Sequence, residues 1–145
     1  MVKVKMTPAL GFNGQCNEAI ALYERAFGAK IREKVLYSQA NPKDFQYKPE
    51  EKDFVFYAEM SIGNKRISLG DDSMNLLGEI EPTNSHKMSL LMEFESDEAL
   101  KTAYEILSAG ATIITPLCNT TYCTAYVVLV DKFGIRWDLM SGYEG

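Results

Sequence analysis

The chain has 145 residues, of which 46% are hydrophobic and 24% charged, with a formal net charge of −5. That is enough apolar material for one domain or two small modules sharing a core. An acidic chain lacks the basic face that nucleic acid and anionic membranes require, so neither is expected as a partner.

The N-terminal MVKVKMTPALGF contains no long apolar run, so neither a signal peptide nor a transmembrane segment is expected. Its alternation reads as a first strand. In NGQCNEAIALYERAFG, Asn13 or Gln15 could cap a helix whose apolar stripe is Ala19, Ile20, Leu22, Tyr23, Ala26 and Phe27, with Gly28 as its stop. KIREKVLY is a strand by composition. SQANPKDFQYKPEEK, residues 38–52, is polar with two prolines and reads as a loop flanked by Tyr37, Phe45, Tyr47 and Phe54. FVFYAEMSI and KRISLG are two strands joined by Gly63-Asn64, a tight hairpin turn.

The same order then recurs. KMSLLMEFE is a strand; SDEALKTAYEILSAG is a helix with Ser96 as N-cap, acids in its first turn and Gly110 at its end. ATIITPL is a strand, and TYCTAYVVLV and GIRWDLM close a hairpin around DKFG. The expected fold is α+β: a single domain over 1–145 made of two βαβββ modules, 1–72 and 88–145, joined by a linker, 73–87. Neither module alone buries both its helix and its sheet well.

The stretches PALGFNGQCNEAIALYERAFGA, FYAEMSIGNKRISLGDD and VLVDKFGIRWDL, the last carrying D-x-F-G-x-x-W, resemble the glyoxalase / bleomycin-resistance / dioxygenase superfamily, also called vicinal oxygen chelate proteins, and within it the PhnB-like branch. The resemblance spans nearly the whole chain. It implies curved mixed sheets around a concave cup, and a homodimer. In the family's enzymes, His, Gln or Glu ligands hold a divalent metal in that cup, with open positions for substrate oxygens. Transferred residue by residue, the ligand positions here are Thr7, Ser68, Ser89 and Asp138, and the neighbours Pro8, Leu69 and Leu90 supply no better donors. A histidine found in many PhnB-like chains is replaced by Tyr57. No metal and no cofactor is assigned. Cys16, Cys118 and Cys123 are odd in number and irregularly spaced; they read as reduced thiols of a cytoplasmic protein, and with His86 as the lone histidine they make no zinc set.

Strand alternation identifies the side chains expected on the cup face. In the first hairpin, Glu59 should pair with Ser68 and Ser61 with Arg66, placing Tyr57, Glu59, Ser61, Arg66 and Ser68 on that face and Phe56, Ala58, Met60, Ile67 and Leu69 against the helix. Ser89, Leu91, Glu93, Arg136 and Asp138 should face the cup in module two, as should Thr7, Ala9 and Gly11 in module one and Cys123 on the strand that precedes the DKFG turn. The candidate ligand-binding set is therefore Tyr57, Glu59, Arg66, Ser68, Glu93, Arg136 and Asp138. Its charges either contact a small-molecule ligand or pair with one another across strands. Two functional classes are open: a binding or sequestering protein, and a metal-dependent lyase, isomerase or dioxygenase with a rebuilt carboxylate site. A metal-free enzyme would need a base such as a desolvated Glu59. Loop 38–52 either covers the cup mouth, anchors itself, or forms a dimer contact.

Overall fold

The computed structural model describes residues 3–72 and 87–143. The linker reading therefore falls almost entirely outside the described residues, as does His86. The chain divides into two compact units, Met1–Pro82 and Thr83–Gly145.

The first unit contains β1 (Ala9–Phe12), α1 (Cys16–Phe27), β2 (Lys30–Leu36), β3 (Val55–Ile62) and β4 (Lys65–Asp71). The second contains β5 (Leu90–Phe94), α2 (Asp97–Ser108), β6 (Thr112–Cys118), β7 (Ala125–Val130) and β8 (Arg136–Ser141). Each unit is a βαβββ module whose strands form one four-stranded mixed sheet, in the orders β1-β4-β3-β2 and β5-β8-β7-β6. The first strand of each module pairs in parallel with the last, and the remaining pairs are antiparallel.

β1 is much shorter than the alternating stretch suggested. Val4 and Met6 are exposed, and Pro8 offers the ladder only its carbonyl, which accepts from the Ser68 N–H at 2.9 Å. With no face to bury, the segment before Ala9 gains nothing from pairing.

α1 buries Ala19, Ile20, Leu22 and Tyr23 against Ala58, Met60, Ile67 and Leu69 of β3 and β4, all buried. It stops at Gly28, whose φ of 66° is left-handed backbone that glycine adopts without a steric penalty. The cap at its other end does not come from its own sequence, because the Gln15 side chain makes no capping bond. Instead, Asp71 at the end of β4 receives the Cys16 N–H on Oδ1 and the Val55 N–H on Oδ2, both at 2.9 Å. The Tyr37 hydroxyl donates to the Asp71 carbonyl at 2.7 Å. One buried residue thus ties helix, loop and two strands together.

Module two solves the same problem with the roles exchanged. Phe94 pairs with Ser141 as Phe12 pairs with Asp71. Here the strand residue Ser141 donates its hydroxyl at 2.6 Å to Asp97 of the helix, which also receives a hydrogen bond from Thr124 Oγ1. These two hydroxyls hold the Asp97 carboxyl below the usual carboxylate range. Ser96 caps α2 as expected, accepting from the Ala99 N–H.

The three thiols differ sharply in setting. Cys16 is fully buried beside Asp71, and burial first, then that negative charge, pushes its thiol up to about 12. Cys123 is also buried, whereas Cys118 is exposed. On the folded protein at pH 8, a thiol-specific reagent should label Cys118 quickly and leave Cys16 untouched until denaturant is added. Mass-spectrometric mapping that found Cys16 labelled in the native state would show that the start of α1 opens readily.

Candidate functional site

Registers place the polar side chains. The two-residue turn at Gly63-Asn64 pairs Glu59 with Ser68 and Ser61 with Arg66, as the sequence predicted. These residues lie on the sheet face away from α1, with Ala9 and Gly11 of β1 beside them through their pairing with Ser68 and Gly70. Glu59 and Arg66 form an ion pair across β3 and β4, and the Tyr57 hydroxyl donates to Glu59 Oε2 at 3.4 Å. The Arg66 hydrogen bond is the main reason the Glu59 carboxyl is held below the usual carboxylate range; Tyr57 and the charge of Arg32 add to it. Glu59 is therefore an ionised, paired carboxylate, and a desolvated base with a raised pKa is not what this position holds.

In module two, Arg136 and Asp138 lie on the face away from α2, while Trp137 and Leu139 are fully buried on the other. Arg136 donates from Nε to Asp138 Oδ1 at 3.0 Å and from Nη2 to Oδ2 at 3.4 Å. Asp138 is paired in the register with Leu91 and Val128, and Glu93 with Met140. Glu93 is exposed on that face. Of the seven candidates, the structure thus brings Tyr57, Glu59, Arg66 and Ser68 together on one sheet, and Glu93, Arg136 and Asp138 on the other.

Four placements differ from the sequence reading: Thr7 and Ser89 lie ahead of β1 and β5 rather than on a strand face, and Phe56 and Cys123 depart from the alternation. Phe56 does not face the helix: it is 39% exposed and lies 5.0 Å from the Phe45 ring. A register shift sets Leu36 opposite Val55 and Val35 opposite Tyr57, leaving Phe56 as an extra residue. Such a bulge breaks the two-residue alternation. Cys123 is not on a sheet face either, because β7 begins only at Ala125; its sulfur sits 3.1 Å from Thr120 Oγ1 in the preceding turn.

Loop 38–52 is anchored by aromatic packing. Tyr37 is buried, with ring centroids of Phe45, Phe54 and Tyr47 at 4.6, 5.6 and 6.0 Å. This is a local cluster of offset and edge contacts.

The positions that would hold a divalent metal do not suit one. Thr7 and Ser89 are exposed and precede their strands, and Ser68 is a neutral hydroxyl. Both oxygens of Asp138 are engaged by Arg136. Three hydroxyls and one neutralised carboxylate are a poor donor set for a divalent cation. Among the described residues, no three His, Cys, Asp or Glu side chains gather where a metal could sit.

One contributor escaped the sequence reading. Arg32 donates from Nε to Ser61 Oγ at 3.2 Å. It is the extra residue of a second bulge, this one in β2, between the pairs Ile31–Met60 and Glu33–Glu59. Strict alternation cannot assign its direction, and nothing in the sequence around it marks a bulge.

Two mixed sheets, each with one helix and a βαβββ order, define an α+β protein built by repetition, carrying on each sheet a polar face with an arginine–carboxylate pair. The chain belongs to the Glyoxalase/Bleomycin resistance protein/Dioxygenase superfamily, whose pattern it matches over residues 9–139. It is 26% identical over 137 residues to Protein YjdN of Escherichia coli strain K12, covering 91% of each chain. Among solved structures, it resembles the PhnB protein from Bacillus cereus, with TM-score 0.79, 24% identity, and coverage of 95% of this chain and 99% of that one. Protein PA1353 from Pseudomonas aeruginosa superposes with TM-score 0.78 at 19% identity, covering 98% and 100%. At these identities the structural likeness establishes the fold. No helix among the described residues is long and apolar enough to cross a membrane.

Proposed function

We propose that the protein binds a small molecule on the polar sheet faces and does so without a resident divalent metal. The supporting observation is that Asp138, the one carboxylate at a ligand position, is already neutralised by Arg136, as Glu59 on the other sheet is by Arg66. Paired in this way, they offer a hydrogen-bonding surface to a ligand and little net charge to a cation. The protein is read as a cytoplasmic binding or sequestering protein that works as a homodimer. Each sheet ends in two edge strands, β1 and β2 or β5 and β6, and such edges favour pairing with a second chain.

The test is metal content of protein purified without chelator, followed by titration with Ni²⁺, Zn²⁺, Mn²⁺ and Fe²⁺ while thermal stability is followed. No stabilisation is expected. A cation present at a hundred times its dissociation constant would add about 2.7 kcal/mol, an unmistakable rise in Tm. Such a rise, lost in Asp138→Ala, would overturn the reading in favour of a metal-dependent lyase, isomerase or dioxygenase. A ligand panel of neutral, cationic and anionic small molecules should then yield at least one compound that stabilises the apo-protein. Light scattering tests the dimer.

A further inference from the structure

We infer that Arg32, Ser61 and Arg66 on the first sheet form a binding site for an oxyanion, the carboxylate or phosphate group of the small-molecule ligand. This rests on the binding reading above and names the charged group that the ligand carries.

The three residues come from three adjacent strands. Ser61 on β3 is the register partner of Arg66 on β4. From the other side, the β2 bulge turns Arg32 onto the same face, where its Nε reaches Ser61 Oγ at 3.2 Å. Register partners such as Ser61 and Arg66 have Cβ atoms about 5 Å apart, and Arg66 reaches along β3 to Glu59, so the two arginines stand on either side of β3, one at Ser61 and the other at Glu59. Arg32 is also close enough to Glu59 for its charge to lower that carboxyl.

Each arginine spends only Nε on the protein: Arg32 on Ser61 and Arg66 on Glu59. Among the described residues, no hydrogen bond or ion pair occupies the Nη groups of either. Both side chains are accessible, with Arg66 at 52%. Ser61 is nearly buried, at 7%. Its oxygen accepts from Arg32, so its own proton is available to donate. Two forked cations and a hydroxyl converging from both sides of a strand match the lone pairs of a carboxylate or phosphate. The charged neighbours on this face are Lys30, opposite Ser61, and Glu33, opposite Glu59. With them the local balance is three cations against two carboxylates, which is positive on a chain of net charge −5.

Module two provides an internal control. Its sheet carries the same bulge, between the pairs Ile113–Leu129 and Thr115–Val128, so Ile114 stands where Arg32 does. By the same registers, Val130 stands in place of Ser61, Val128 in place of Glu59 and Arg136 in place of Arg66. The backbone device and the last-strand arginine are shared, but Arg32 and Ser61 have only apolar counterparts in module two, Ile114 and Val130. A bulge that only shaped the sheet would not need an arginine at its tip.

The test follows the arginine Nε–Hε resonances of the full chain by NMR during titration with sodium phosphate and, separately, sodium acetate, at ionic strength held constant with sodium chloride. The expected result is saturable shifts at Arg32 and Arg66, with binding weakened about tenfold in Arg32→Gln and in Arg66→Gln. Arg25→Gln, on the exposed side of α1, should bind as the wild type does. Tighter binding of phosphate or of acetate identifies the ligand's anionic group. Equal shifts from chloride alone, or unchanged binding in both glutamine variants, overturns the site. If panel ligands without an oxyanion bind and phosphate does not, this inference falls and the binding reading stands. If phosphate perturbs Arg32 and Arg66 but no panel compound binds, the anion site stands and the small-molecule reading falls.

Discussion

Asp131→Ala is expected to lower the unfolding free energy by about 3–5 kcal/mol, the largest effect of any single substitution considered for this chain. Asp131 is 3% exposed at the foot of the closing hairpin. Its Oδ1 accepts the N–H groups of Phe133 at 2.9 Å and Ile135 at 3.1 Å, and its Oδ2 accepts the indole N–H of Trp137 at 2.8 Å. Its own N–H bonds the Ile135 carbonyl, and Gly134, at φ 90°, lets the chain turn back. Alanine would leave three donors without that acceptor, one of them in a fully buried tryptophan, and an orphaned buried donor costs about 1–3 kcal/mol. The three losses share one site, so they will not add in full. Asparagine retains a single acceptor oxygen and should cost less, since it can serve either the turn or the indole. The measurement is equilibrium unfolding in urea, with the midpoint falling and the slope unchanged. A loss below about 1 kcal/mol would show that water replaces the carboxylate and would sink the claim.

The second large effect is expected at Asp71. Asp71→Ala removes the acceptor for the Cys16 and Val55 N–H groups and takes a negative charge from the start of α1, where the helix dipole favours it. The expected cost is about 2–4 kcal/mol, combining a lost cap with an orphaned strand donor. The hydroxyl bond of Tyr37 goes to the Asp71 main chain and survives the substitution. Amide hydrogen exchange separates local from global effects. Cys16 and Val55 should lose protection beyond the general decline, while α2 should follow only the global change. Protection at Cys16 equal to that of the wild type would mean that another group caps the helix.

These two carboxylates show why the sequence was legible in one module's turn and not in the other's cap. Asp131 acts within a few residues, on Phe133, Ile135 and Trp137, so its role is written into D-x-F-G-x-x-W. Asp71 acts on Cys16, far away in sequence. Nothing near Gln15 reveals that its helix is capped from another strand. The site divides in the same way. Gly63-Asn64 sets a two-residue turn, and a two-residue turn sets the register, so the placement of Glu59, Ser61, Arg66 and Ser68 could be read directly. Arg136 and Asp138 followed from the apolar alternation of Trp137 and Leu139.

By itself, then, the sequence determined the repeated βαβββ order, both helices and their stops, the register of the hairpin at Gly63-Asn64 and the polar faces of β4, β5, β8 and most of β3. These rest on local turn chemistry and on periodic burial, both of which act over a few residues. The tertiary structure alone decided the pairing of Arg66 with Glu59 and of Arg136 with Asp138, the cap that Asp71 supplies, and the bulges that turn Phe56 outward and Arg32 toward Ser61. A bulge exists only relative to the partner strand. One extra residue there reverses the direction of a side chain, and no periodicity within a single strand records it.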